Sequence, residues 1–89
     1  MELPEIRDGI DKIDNQIFDL IVDRVELAKE VVKAKSALGK PIYDAERERI
    51  VIGRQVEKAE ELGLPTEFIA DIYKALIRGC TEVEEKIQD

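Results

Sequence analysis

The amino-acid sequence predicts an all-α protein, and three observations carry that expectation. Apolar residues recur alternately three and four positions apart over long stretches, the spacing of one face of a helix. Helix breakers are few, five Gly and three Pro in 89 residues, and half of them fall in just two places, Gly39 with Pro41 and Gly63 with Pro65. Charged residues make up 39% of the chain, well above the usual quarter, and lie between the apolar positions, often three or four apart.

The first helix is expected from about residue 4 to residue 38. Pro4 suits a first turn, where its missing N–H does no harm. The apolar stripe then runs Leu3, Ile6, Ile10, Ile13, Ile17, Leu20, and after Arg24 continues as Leu27, Val31, Ala34 and Leu38. Only Gly9 interrupts it, at a cost of about 1 kcal/mol. Exposed positions pair charges, Asp8 with Lys12 and Glu26 with Lys29, although Glu26 and Glu30 repel. Such a helix is ~50 Å long, whereas a compact domain of this size has a radius of gyration near ~12 Å and a diameter of roughly 30 Å. The overhang stays apolar to its end. It calls for a second surface, and a homodimer with the long helices packed along one another is expected. The alternative is a helix that bends back on itself.

Gly39-Lys40-Pro41 ends this helix, because Gly is a natural C-terminal cap and Pro drives the residue before it toward extended geometry. Asp44 is the expected N-cap of a second helix over 45–62. Its apolar face is Ala45, Ile52, Val56 and Ala59, with Val51 and Leu62 beside it. Asp44, Arg47 and Glu48 share one side of its first turn. Gly63-Leu64-Pro65 closes it, and Thr66 is expected to cap a third helix over 66–88. That helix carries the stripe Ile69, Ile72, Leu76, Cys80, Val83 and Ile87, with Phe68, Tyr73 and Ile77 flanking it. Short connections make residues 1–89 a single expected domain of one long and two shorter helices.

Composition narrows the function classes. No apolar run reaches membrane-spanning length, and the N-terminus lacks a basic segment followed by an apolar one, so a cytoplasmic protein is expected. A single cysteine, Cys80, cannot form an intrachain disulfide, which suits a reducing compartment. The chain has no histidine, so no Ser-His or Cys-His pair is available and no metal site of the usual kind is expected. The net charge of −7 argues against nucleic acid or an anionic membrane as partner.

Arg24 stands in a stripe position that calls for a hydrocarbon. An unpaired buried guanidinium is costly, so it needs a partner. Lys35 follows eleven residues later, close to three full turns, and projects in nearly the same direction ~16 Å along the axis. The two either snorkel at the edge of the stripe or close on a small anion between them. Arg7 lies seventeen residues before Arg24, ~25 Å away along one rod. In an antiparallel dimer, however, the first turn of one chain can approach the middle of the other, and Arg7 would then reach the site in trans.

Several segments, in order and at matching spacing, resemble the small all-helical chorismate mutase family over about Glu5 to Glu85. They are Ile6-Arg7 with Ile13-Asp14, Asp23-Arg24-Val25-Glu26-Leu27-Ala28, Lys33-Ala34-Lys35, and Pro41-Ile42-Tyr43-Asp44-Ala45-Glu46-Arg47-Glu48. The resemblance implies an intertwined antiparallel helical homodimer and conversion of chorismate to prephenate, a step toward phenylalanine and tyrosine, without cofactor or metal. It implies that Arg24 and the partner chain's Arg7 hold the substrate's carboxylates. Arg47 adds a third cation, Glu48 bonds the ring hydroxyl, and Asp44 contributes nearby through its backbone. Lys35 donates to the ether oxygen of the breaking bond.

Two positions depart from the family's commonest pattern. Cys80 replaces a small hydroxyl residue, so contact with a carboxylate or simple packing are both open to it. Glu84 stands where Gln is frequent. A Gln amide donates at any pH, whereas a carboxyl donates only when protonated; Glu84 in that state is the expected second donor to the ether oxygen. Other readings of the chain are an isochorismate pyruvate lyase of the same fold, a non-catalytic dimerisation or regulatory module, and a coiled-coil adaptor.

Overall fold

The structure, a computed structural model, describes residues 1–88; Asp89, the last residue of the expected domain, lies outside the described residues. Among the described residues the regular structure is three helices, α1 over Leu3–Ala37, α2 over Ala45–Leu62 and α3 over Thr66–Gln88. The all-α expectation holds, for the reason the stripes gave: each helix has one apolar face.

The two Gly-Pro boundaries are built alike. At the end of α1, Gly39 takes a left-handed φ of 68°. Its N–H donates to Ser36 O at 3.1 Å, and the N–H of Lys40 donates to Lys35 O at 2.8 Å. At the end of α2, Gly63 takes φ 72°, with its N–H on Glu60 O at 3.2 Å and that of Leu64 on Ala59 O at 2.8 Å. These are paired Schellman bonds, and the left-handed residue they need is why glycine stands at both places. Asp44 caps α2, its Oδ1 accepting from the Arg47 N–H at 3.1 Å. At α3 the cap differs from expectation. Thr66 is already the first helical residue, and the carbonyl of Pro65 accepts the first helical bond, from the Ile69 N–H at 3.3 Å. Proline can serve there because that position uses only its carbonyl.

α3 lies between the other two helices, packing on α1 along one side and on α2 along the other. The principal extents are 55 × 25 × 15 Å and the radius of gyration is 16.2 Å, against ~12 Å for a compact chain of this length. The buried apolar residues are Ala28, Val32, Ala59 and Cys80, all where α3 meets a neighbour. The first half of α1 meets neither helix: Leu3, Ile10, Ile13, Ile17, Phe18 and Leu20 are each at least half exposed. Leu62, expected beside the apolar face of α2, is 76% exposed.

Surface ion pairs add little to this frame. Glu26 pairs with Lys29 at 3.0 Å and Glu30 with Lys33 at 3.3 Å, exposed contacts each worth a few tenths of a kcal/mol. Asp8 and Lys12 form no ion pair among the described residues.

Val32 is the α1 side chain most completely covered, at 5% exposure. Val32→Ala should lower unfolding free energy by about 1–2 kcal/mol, the lost methyl burial exceeding alanine's better helix propensity. Denaturant titration reads this, and an unchanged midpoint would show that Val32 is not part of the core.

Candidate active site

The second half of α1, the connection to α2, the first turns of α2 and the last turns of α3 enclose one cavity of ≈ 300 Å³. α1 contributes Arg24, Leu27, Ala28, Val31 and Lys35, a single helical stripe. The connection and α2 contribute Ile42, Tyr43, Asp44, Arg47, Glu48 and Val51. α3 contributes Ile77, Cys80, Thr81 and Glu84. Seven of the eight residues singled out in the sequence therefore line the same space. The eighth, Arg7, is an exposed residue near the start of α1 and lies outside this lining.

Each functional side chain has a local reason for its place. Arg24 is half-buried, and its Nη1 donates to the Sγ of Cys80 at 3.0 Å. Cys80 is itself buried, so the thiol is part of the packing between α1 and α3 and also a weak acceptor that orients the guanidinium. Lys35 Nζ donates to the carbonyl of Ile42 at 2.7 Å. The cap of α2 fixes the backbone of Asp44 and Arg47 through the bond between them, and Glu48 follows on the same turn.

Among the described residues the ion pairs involve Lys29, Lys33 and Arg49. Arg24, Lys35 and Arg47 all face the cavity without a carboxylate at ion-pair distance. Opposite them lies Glu84. Burial, foremost, pushes its carboxyl above the usual range; Glu48 pushes the same way, while Lys35 and Arg24 pull against them. The lining thus carries three cations, Arg24, Lys35 and Arg47, and three carboxyl groups, Asp44, Glu48 and Glu84. A half-buried guanidinium whose polar partner is a thiol is a poor resting state. The arrangement suits a small anion with several oxygens.

Sequence reasoning did not assign Thr81, Tyr43 or the Ile42 carbonyl to the site. Thr81 is partly legible, since it is three residues before Glu84 and shares its helix face. Its hydroxyl already donates to the Ile77 carbonyl at 2.9 Å, which leaves it only as an acceptor for a further partner. Tyr43 was visible only as part of a motif. A backbone carbonyl carries no sequence signal at all. Among the described residues, no three His, Cys, Asp or Glu side chains are placed to hold a metal ion. No described helix is long and apolar enough to cross a membrane.

The family described as chorismate mutase type II matches residues 6–85. The chain is 41% identical over 76 residues to a protein named chorismate mutase from Methanocaldococcus jannaschii, covering 85% of this chain and 77% of that one. It is 40% identical over 77 residues to the T-protein of Enterobacter agglomerans, covering 86% of this chain and 21% of the other. It is 36% identical over 90 aligned positions to the bifunctional chorismate mutase/prephenate dehydratase of Aquifex aeolicus, covering 98% of this chain and 25% of that protein. The chain thus spans about a fifth to a quarter of the length of these last two relatives.

Proposed function

Because the chain belongs to the chorismate mutase type II family, we propose that it converts chorismate to prephenate, an isomerisation in aromatic amino acid biosynthesis. The observation that carries this reading is the cluster of cations without carboxylate partners, Arg24, Lys35 and Arg47, around one cavity.

The reaction is a unimolecular pericyclic rearrangement. One carbon–oxygen bond breaks as a carbon–carbon bond forms, and no proton, electron or nucleophile enters. The chain's task is to hold the flexible enolpyruvyl ether in a compact, chair-like conformer and to aim donors at the ether oxygen, where negative charge grows. In our reading Arg24 takes one substrate carboxylate with its planar fork, held at the right angle by Cys80. Arg47 adds a second cation, and Glu48 bonds the ring hydroxyl beside the backbone of Asp44. Lys35 and a protonated Glu84 donate to the ether oxygen.

The other substrate carboxylate needs another cation, and here the proposal includes a homodimer. The exposed apolar half of α1 supports a second copy packed along it. An antiparallel arrangement would bring Arg7 of the partner subunit to the open side of the cavity. That arginine would add a fourth cation around the cavity for a dianionic substrate. A cytoplasmic location belongs to the same proposal and suits a chain with one unbridged thiol.

The direct test follows the loss of chorismate absorbance and identifies the product. Prephenate is expected. Failure to consume chorismate, or pyruvate release from isochorismate instead, would contradict the assignment. Lys35→Ala is expected to reduce kcat by roughly 10²–10³, the effect of losing one donor to a developing oxyanion; an unaltered kcat would remove Lys35 from the chemistry. The sign of the pH effect follows from Glu84. Its carboxyl titrates higher than an ordinary glutamate because burial disfavours the charged form, so the donor is present at low pH and lost as pH rises through that raised pKa. Wild-type activity should fall across that window and Glu84→Gln should flatten it; superimposable profiles would refute the donor role.

A further inference from the structure

Lys35 is bound twice by the turn that follows it. Its backbone carbonyl accepts the N–H of Lys40 at 2.8 Å, and its ammonium donates to the carbonyl of Ile42 at 2.7 Å. The chain therefore leaves α1, curls around its last turn and returns a carbonyl to the side chain of a residue inside that turn. Two features shape the curl. Gly39 sits at φ 68°, where an L side chain is strained, and Pro41 holds Lys40 toward extended geometry. Among the described residues the Ile42 carbonyl is the hydrogen-bond partner of the Lys35 ammonium, and no carboxylate lies at ion-pair distance from it. A lysine left free at this point would sample many rotamers.

We propose that the α1–α2 turn is a positioning element for Lys35. Gly39, through its left-handed backbone, sets the Ile42 carbonyl where it holds the ammonium over the cavity, with its remaining N–H groups free for the substrate. The catalytic consequence rests on the reading given under Proposed function; the tether itself does not.

The molecule contains its own control. Gly63 makes the same pair of Schellman bonds at φ 72°, and a Cβ at either glycine would meet nothing within 4 Å. Gly39→Ala and Gly63→Ala therefore introduce the same backbone strain in equally open space, and both should lower the melting temperature to a similar degree. The Gly63 turn contributes nothing to the cavity. Only Gly39→Ala should lower kcat, by roughly tenfold to a hundredfold, as expected for displacing a reacting group by about an ångström. Gly39→Asn, a residue that tolerates the left-handed region, should retain near wild-type kcat.

A readout independent of turnover is the NMR coupling across the hydrogen bond between 15N-labelled Lys35 Nζ and the 13C-labelled Ile42 carbonyl. It should be present in the wild type and Gly63→Ala and absent in Gly39→Ala. Absence of the coupling in the wild type would overturn the tether even if chorismate is turned over. Its presence in a protein that ignores chorismate would uphold the tether and sink only the functional reading. Equal loss of kcat in the two alanine variants, or loss of the coupling without loss of kcat, would overturn the positioning role.

Discussion

The 35 residues of α1 form a helix longer than the rest of the chain can cover. α3 covers its second half, with Ala28 and Val32 at the contact. Its first half carries Leu3, Ile6, Ile10, Ile13, Ile17 and Leu20 into solvent. Each fully buried aliphatic side chain is worth about 1.5–3 kcal/mol relative to exposure, so leaving this stripe uncovered forfeits a sum comparable to the whole stability of a small domain. The shape of the molecule, its small internal core and the placement of Arg7 far from the other cations all follow from that length.

The same helix also explains how an acidic chain can gather cations around one cavity. The net charge is −7, and the exposed faces of α1 are rich in Asp and Glu. One stripe of α1 nevertheless carries Arg24 and Lys35 inward, where α3 and the first turn of α2 converge. Neither cation is neutralised by a neighbouring carboxylate. Arg24 meets the soft sulfur of Cys80 and Lys35 meets a backbone carbonyl, contacts that orient a cation without cancelling its charge. Glu84 faces them from α3. Burial raises its pKa while Lys35 and Arg24 pull it down, and among the described residues no ion pair joins it to either cation.

Most of the fold was legible because helical periodicity and Gly-Pro punctuation are strong local signals. Gly39 and Gly63 were readable as caps because only a left-handed residue completes the Schellman bonds. The start of α3 at 66 agrees with the structure, but its cap does not, since the carbonyl of Pro65, just before Thr66, takes the role expected of the threonine. Leu62 reads as core from its spacing but is open in the single chain; nothing local reveals which surfaces await covering. In the site, spacing alone singles out Arg24 and Lys35, which interrupt or edge one stripe, but leaves them equally readable as snorkelling side chains until family resemblance gives them roles. Asp44, Arg47 and Glu48 read only as a charged helix start until family resemblance gave them roles. The packing of Cys80 against Arg24 joins residues 56 positions apart, a distance over which periodicity says nothing.

The central claim is that the working site is shared between two chains, and subunit mixing addresses it directly. If the proposed homodimer forms, Arg7→Ala and Lys35→Ala would each damage every site of their own dimers. In a mixed dimer one site carries both lesions and the other carries neither. After equilibration of equal amounts, confirmed by mass measurement of the mixed species, activity should recover to about a quarter of wild type, since half the dimers are mixed and each has one intact site of two. A mixture that contains the mixed species yet stays at the level of the separate variants would show that Arg7 does not act across the interface, and the shared site would have to be abandoned.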